Sequence, residues 1–191
     1  MPTVRAFIAI DIPSFAKEKI ADLQSGFKAL GLDISWVRPS NFHLTLKFLG
    51  HVNQDQIAEI KKCLNAALAD APGFLTAIGD VGVFPSLERP RVLWVGLENS
   101  GSLVSLQKKI DAGLAQIGFK PESKAFTAHL TLGRIKSKKI RLENLLKKAQ
   151  KIETEPIEIT SVTLYESQLT REGSIYRVLE KFKLAMPAKS E

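Results

Sequence analysis

The tetrapeptide His-Leu-Thr-Leu occurs twice, at His43–Leu46 and His129–Leu132, in a chain of 191 residues with only 3 histidines. Multiplying residue frequencies puts coincidence on the order of 10⁻⁶ for independent positions, so the pattern is an internal repeat. In an extended strand successive side chains alternate between faces, which sends each His and Thr to one side and the two leucines to the other. The leucines call for a core behind each strand. The His-Thr face is left for chemistry.

Strand and helix patterns take turns around the repeat. Val4 to Ile12 is β-branched and apolar; Pro13 and Ser14 then open a helix with the stripe Phe15, Ile20, Leu23, Phe27 and Leu30, closed by Gly31. Ile34 to Val37 and Phe42 to Leu49 read as strands across a turn at Arg38–Asn41. Asn53 and Gln56 have the spacing of a capping box and start a helix with Ile57, Ile60, Leu64 and Leu68 inward. Leu75 to Phe84 and Val92 to Leu97 read as strands joined by a loop with Pro85 and Pro90. Leu103, Leu106, Ile110, Leu114 and Ile117 mark a third helix ending at Gly118. Phe126 to Leu132 carries the second motif, Arg141 to Lys151 reads as a short helix, and Ile157 to Tyr165 and Ile175 to Leu184 are closing strands. Neighbouring strands without a helix between them favour antiparallel ribbons and an α+β class. Residues 1–186 read as one domain, with 187–191 a frayed tail.

Lys and Arg number 27 against 20 Asp and Glu, a formal charge of +7. That suits a polyanionic partner, although modestly basic proteins are common and the charge only supports such a reading. The single cysteine, Cys63, reads as a small buried apolar residue; it cannot pair internally, which fits a reducing, cytoplasmic setting. No segment reaches the roughly 18 apolar residues of a bilayer span, so no membrane partner is expected. A monomer is the default.

Imidazole titrates near pH 6.5, so of two copies one can hold a proton while the other is neutral, which makes a general acid and a general base. Across a cleft, such a pair would activate water on one side of a phosphate and protonate the leaving oxygen on the other. Thr45 and Thr131 would donate to non-bridging oxygens. Neither motif offers a zinc-like ligand set and no Walker-type loop is present, so neither metal nor cofactor is expected. Lys47 shares the parity of His43 and Thr45 and can point into the cleft or remain solvated. Arg134 has the opposite parity to His129 and needs a bend, which Gly133 permits. His51 reads as an exposed loop residue.

With these residues the sequence resembles the two-histidine phosphoesterase superfamily, and within it the RNA 2′,3′-cyclic phosphodiesterase family, also called 2′-5′ RNA ligase. The resemblance runs through Arg5–Ile10, His43–Gly50, Pro90–Leu97, His129–Arg134 and Leu164–Ser167. It implies a bilobal α+β fold with two facing antiparallel sheets, helices on their outer sides and a central cleft. It also implies hydrolysis of RNA 2′,3′-cyclic phosphate ends, tRNA fragments among them, to 2′-phosphomonoesters. His43 would be the proton donor, His129 the proton acceptor, and Thr45, Thr131 and Arg134 the phosphate ligands. Phe84 is a candidate base platform or a core residue, Arg91 an RNA contact or a surface ion-pair partner, and Trp94 a core residue. The alternatives are 2′-5′ ligation at the same site and a nucleotide-binding module without catalysis.

Overall fold

The computed structural model describes residues 2–136, 154–170 and 173–185. Strands β1 (Val4–Asp11), β2 (Ile34–Trp36) and β3 (His43–Val52) come first, with α1 (Ser14–Lys28) after β1 and a short 3-10 turn, Pro39–Asn41, before β3. Helix α2 (Gln54–Leu68), β4 (Phe74–Thr76), β5 (Ile78–Phe84), β6 (Val92–Leu97), α3 (Ser100–Gln116) and β7 (His129–Ile135) come next. Three strands close the described chain: β8 (Ile157–Ile159), β9 (Ser161–Thr170) and β10 (Gly173–Lys183). The helix expected over Arg141 to Lys151 lies outside the described residues.

All strand pairs of the main sheet are antiparallel, in the order β10-β9-β1-β3-β7-β6-β5, with β2 on the edge of β7 that also meets β3. The two expected sheets are thus halves of one path. They join where β3 meets β7, at the single pair Leu44–Leu130. Both leucines are fully buried, so the second residue of each motif anchors its strand in the core at the seam. Two expected strands are each divided. Leu75 to Phe84 becomes β4 and β5, and Ile157 to Tyr165 becomes β8 and β9, because β4 and β8 leave the main sheet to pair with each other. Ala77 and Glu98 tie the transition, through the Glu98 amide to the Ala77 carbonyl.

Buried residues of α1, α2 and α3 share one core with Ile8, Ile10, Leu44, Leu93, Val95 and Leu130. The helices therefore cover one face of the sheet and leave the other open. In α2 and α3 the expected stripes are buried, apart from Ile117, which is partly buried beyond the end of α3. The Asn53–Gln56 capping box closes through both hydrogen bonds, at 2.9 and 3.0 Å. In α1 the buried face is Ala16, Ile20, Gln24 and Phe27, while Phe15 and Leu30 are exposed. Phe15 sits about 100° round the helix from Ala16, and the small alanine is what lets α1 lie close on the sheet. Cys63 is partly buried against the core.

Candidate active site

On the open face the two half-sheets line a cleft of about 350 Å³ that includes His43, Thr45, His129, Thr131 and Arg134. Both histidines are held alike. His43 Nδ1 donates to the Asn41 carbonyl and His129 Nδ1 to the Thr127 carbonyl, each at 2.7 Å and each two residues upstream. A carbonyl only accepts, so these bonds place the neutral ring's proton on Nδ1 and leave the Nε2 lone pair for chemistry. His43 Nε2 lies 3.0 Å from Thr45 Oγ1. Burial lowers the pKa of both imidazoles below the ordinary 6.5, and their carbonyl partners offset this only in part. His43 also feels Asp11, which raises its pKa, and Lys17 and His129, which lower it.

Each histidine has its own aromatic surroundings. The Phe7 ring lies 5.0 Å from His43, and Tyr176 meets it edge-on at 5.2 Å. Phe84 meets His129 edge-on at 4.9 Å, with Trp94 6.1 Å from the same ring. Phe84 and Trp94 thus occupy the open face and buttress His129, whereas the sequence placed Trp94 in the core. The alternation Leu93, Val95, Leu97 already pointed inward, which left Trp94 outward; its aromatic character masked that signal. Trp94 covers Gly82 so closely that a Cβ there would sit 2.2 Å from the indole. Arg91 is exposed and is not among the cleft-lining residues; its backbone amide donates to the Phe84 carbonyl at 2.6 Å. His51 is exposed at the far end of β3, in strand rather than loop.

The strands do not keep simple alternation beyond the leucines. Ile8 faces Lys47 and Ala9 faces Thr45, so Leu46 is an extra residue in β3; Leu93 faces Gly133 and Trp94 faces Thr131, so Leu132 is an extra residue in β7. Both motifs therefore contain a β-bulge at the same place, and each bulge reverses the parity of the residues after it. That is why Lys47 leaves the cleft: it is buried, pairs with Asp111 and donates to the Lys120 carbonyl at 2.8 Å. Burial pushes the Asp111 carboxyl up, but Lys47 and the Glu122 amide outweigh this and hold it below its ordinary value. Gly133 takes the equivalent place, where a Cβ would come within 2.5 Å of Ile34. The next residues, Phe48 and Arg134, swing into the cleft.

Gln24 reinforces the second bulge. Fully buried in α1, it donates through Nε2 to the carbonyls of Val37 and Leu132, at 2.8 and 2.9 Å, and so grips the extra residue itself. Phe48 was missed because period-two alternation assigns it to the core; aligning the two motifs to their sixth residue, Arg134, would have found it. Phe7, Asn41, Ser174 and Tyr176 also line the cleft. Asn41 Nδ2 donates to the Ser174 carbonyl at 2.8 Å, which links the turn before β3 to β10. No sequence pattern announces a contact between residues so far apart. Among the described residues, no three His, Cys, Asp or Glu side chains gather in a group that could hold a metal ion.

The sequence model described as "LigT like Phosphoesterase" matches this chain twice, over residues 10–94 and 95–176, one His-Leu-Thr-Leu strand falling in each match. The chain belongs to the LigT-like phosphoesterase family. Similar curated proteins are the RNA 2′,3′-cyclic phosphodiesterases of Methanocaldococcus jannaschii, 37% identical over 94% of this chain and 100% of that protein, and of Methanothermobacter thermautotrophicus, 33% identical over 95% and 99%. Among solved LigT-like structures, Escherichia coli LigT complexed with 3′-AMP superposes with a TM-score of 0.72 at 26% identity, covering 96% of this chain and 99% of that one. TT0787 of Thermus thermophilus reaches a TM-score of 0.77 at 24% identity, covering 94% and 97%, and bears on the fold alone.

Proposed function

We propose that this LigT-like cleft hydrolyses the 2′,3′-cyclic phosphodiester at RNA ends, tRNA fragments among them, to a 2′-phosphomonoester. The observation that carries the reading is the pair of identically locked imidazoles, each with Nε2 available in one cleft beside a threonine. Water attacks phosphorus as its proton passes to His129 Nε2, the P–O3′ bond breaks, and the 3′ oxygen takes the proton from His43 Nε2. Thr131 and Arg134 stabilise the charge that develops on the non-bridging oxygens. Thr45 is switched by the acid beside it. When His43 is neutral its Nε2 accepts the Thr45 hydroxyl; once protonated it no longer accepts, which frees the hydroxyl proton for the phosphate and leaves the Nε2 proton for the 3′ oxygen. No step calls for a metal.

The names of the curated relatives support the substrate class, as does the charge of +7. Both histidines come from one chain, so a monomer suffices, and a lone cysteine suits the cytoplasm. In the described residues no helix is long and apolar enough to cross a membrane. Since burial lowers both imidazoles, kcat/KM should trace a bell that peaks on the acid side of pH 6.5. The test is incubation of an oligonucleotide bearing a 2′,3′-cyclic phosphate with the protein in a chelator, with and without a 5′-hydroxyl RNA acceptor. A 2′-phosphate end is expected. No turnover, or turnover abolished by the chelator, would overturn the proposal, and a 2′-5′ joined product in preference to hydrolysis would redirect it to ligation.

A further inference from the structure

The two half-sites can be compared pair by pair, because β1 lies beside β3 as β6 lies beside β7. Ile10 faces Leu44 as Val95 faces Leu130, and Ala9 faces Thr45 as Trp94 faces Thr131. At the histidines the halves part company. The partner of His43 is Asp11, whereas the partner of His129 is Gly96. Directly opposed residues of an antiparallel pair share a face with Cβ atoms about 5 Å apart, so a carboxylate stands across from one imidazole, while the position across from the other carries no side chain and leaves that ring to Phe84 and Trp94.

The carboxylate is held in place. Tyr165 on β9 donates its hydroxyl to Asp11 Oδ2 at 2.5 Å, and its ring stacks on Phe7 at 5.2 Å, the same Phe7 that lies against His43. Asp11, Tyr165 and His43 together line a second cavity of about 360 Å³, which shares the His43–Tyr176 wall with the main cleft. Because Nδ1 of His43 is committed to the Asn41 carbonyl, Asp11 acts on the ring through space and takes no proton from it.

We propose that Asp11, fixed by Tyr165, is a positioning residue that makes His43 the proton-bearing member of the pair and hence the general acid. This rests on the acid–base reading above and deepens it. A symmetric pair carrying one proton has two equivalent states, of which only one suits a given orientation of the cyclic phosphate; a carboxylate beside one ring removes the degeneracy. The Asn41 carbonyl favours the His43 cation but has its counterpart at His129 in the Thr127 carbonyl, which leaves Asp11 as the charged group that favours the cation at His43. Lys17 on α1 and His129 on β7 oppose it, Arg38 lines the second cavity, and Arg5 and Arg134 line the cleft. Tyr165 and Tyr176 are phenols, and burial together with the bond to Asp11 pushes the Tyr165 hydroxyl far up, so it stays a donor. Burial is the largest influence on His43, and Asp11 works against it.

The experiment is NMR titration of both imidazoles in the substrate-free wild type, in Asp11→Asn, which still accepts from Tyr165, and in Tyr165→Phe, which keeps the ring stack. The His43 pKa should fall by about one unit in Asp11→Asn and by less in Tyr165→Phe, while that of His129 stays. The alkaline limb of kcat/KM should move down with it, leaving the acid limb in place. An unmoved His43 pKa, equal shifts at both histidines, or a loss of rate at every pH without movement of the limb would overturn the proposal. The titration needs no turnover. A protein that shifts as expected yet hydrolyses no cyclic phosphate would sink the functional reading and leave the Asp11 effect standing.

Discussion

The His43 and His129 halves of the cleft share backbone, bulge and tautomer lock, and differ in what stands around each ring. The His43 half is the more enclosed, with Asp11, Phe7 and Tyr176 about the imidazole. The His129 half has Gly96 in place of the carboxylate and supplies Arg134, at the position that Phe48 fills in the other half. Duplicated backbone geometry thus delivers two imidazoles to one cleft, and the cross-strand and sixth-position residues give each a different environment.

Removal of either imidazole should have the largest effect. His43→Ala and His129→Ala should each lower kcat by roughly 10² to 10⁴ on a cyclic-phosphate oligonucleotide, and the double variant should fall well short of the product. Steady-state kinetics on variants of verified fold checks this, and full activity in either single variant would break the pairing of roles. Next comes the fifth position of each motif. Lys47→Met leaves the partly buried Asp111 with only the Glu122 amide as partner and should cost about 2 kcal/mol in denaturant unfolding, with the surviving folded protein retaining its kcat. A selective loss of kcat would return Lys47 to the cleft.

At the sixth position, Arg134→Ala should lower kcat/KM roughly 100-fold and Arg134→Lys should restore only part, because a point charge lacks the planar fork. Phe48→Ala should change kcat far less, since a phenyl ring stabilises no developing charge; equal losses would mean that the two sixth positions do the same job. The smallest effect is the most diagnostic of the asymmetry. Gly96→Asp would give His129 a carboxylate of its own, at a site where an added Cβ meets nothing closer than 3.4 Å. The acid limb of kcat/KM should then move up by some tenths of a unit, the reverse of the Asp11→Asn shift, as protonation of the base becomes easier.

Much of this site was legible in the chain because local alternation is a short-range property. His43, Thr45, His129 and Thr131 are brought to one cleft as their strand parity requires, while Arg134 joins them through the bulge at Leu132 rather than through a bend at Gly133, whose missing side chain makes room beside Ile34. The same rule misplaced Lys47 and hid Phe48. A bulge is fixed by the neighbouring strand's register and by a distant grip such as that of Gln24 on Leu132, and neither is written within the motif. Phe15 and Leu30 likewise fit a helical stripe, yet burial went to Ala16 and Gln24, because contact with the sheet selects the face.

The amino-acid order alone established that two His-Thr strands exist, that leucines anchor them and that three described helices cover their backs, since hydrophobic periodicity demands these things of any compact form. Folding in three dimensions was needed to make β3 and β7 meet at one leucine pair, to turn the residue two places after each bulge into the cleft, and to set Asp11 rather than glycine opposite His43. Those are matters of register between strands far apart in the chain. Register is settled by the packing of the whole sheet, which no single segment carries.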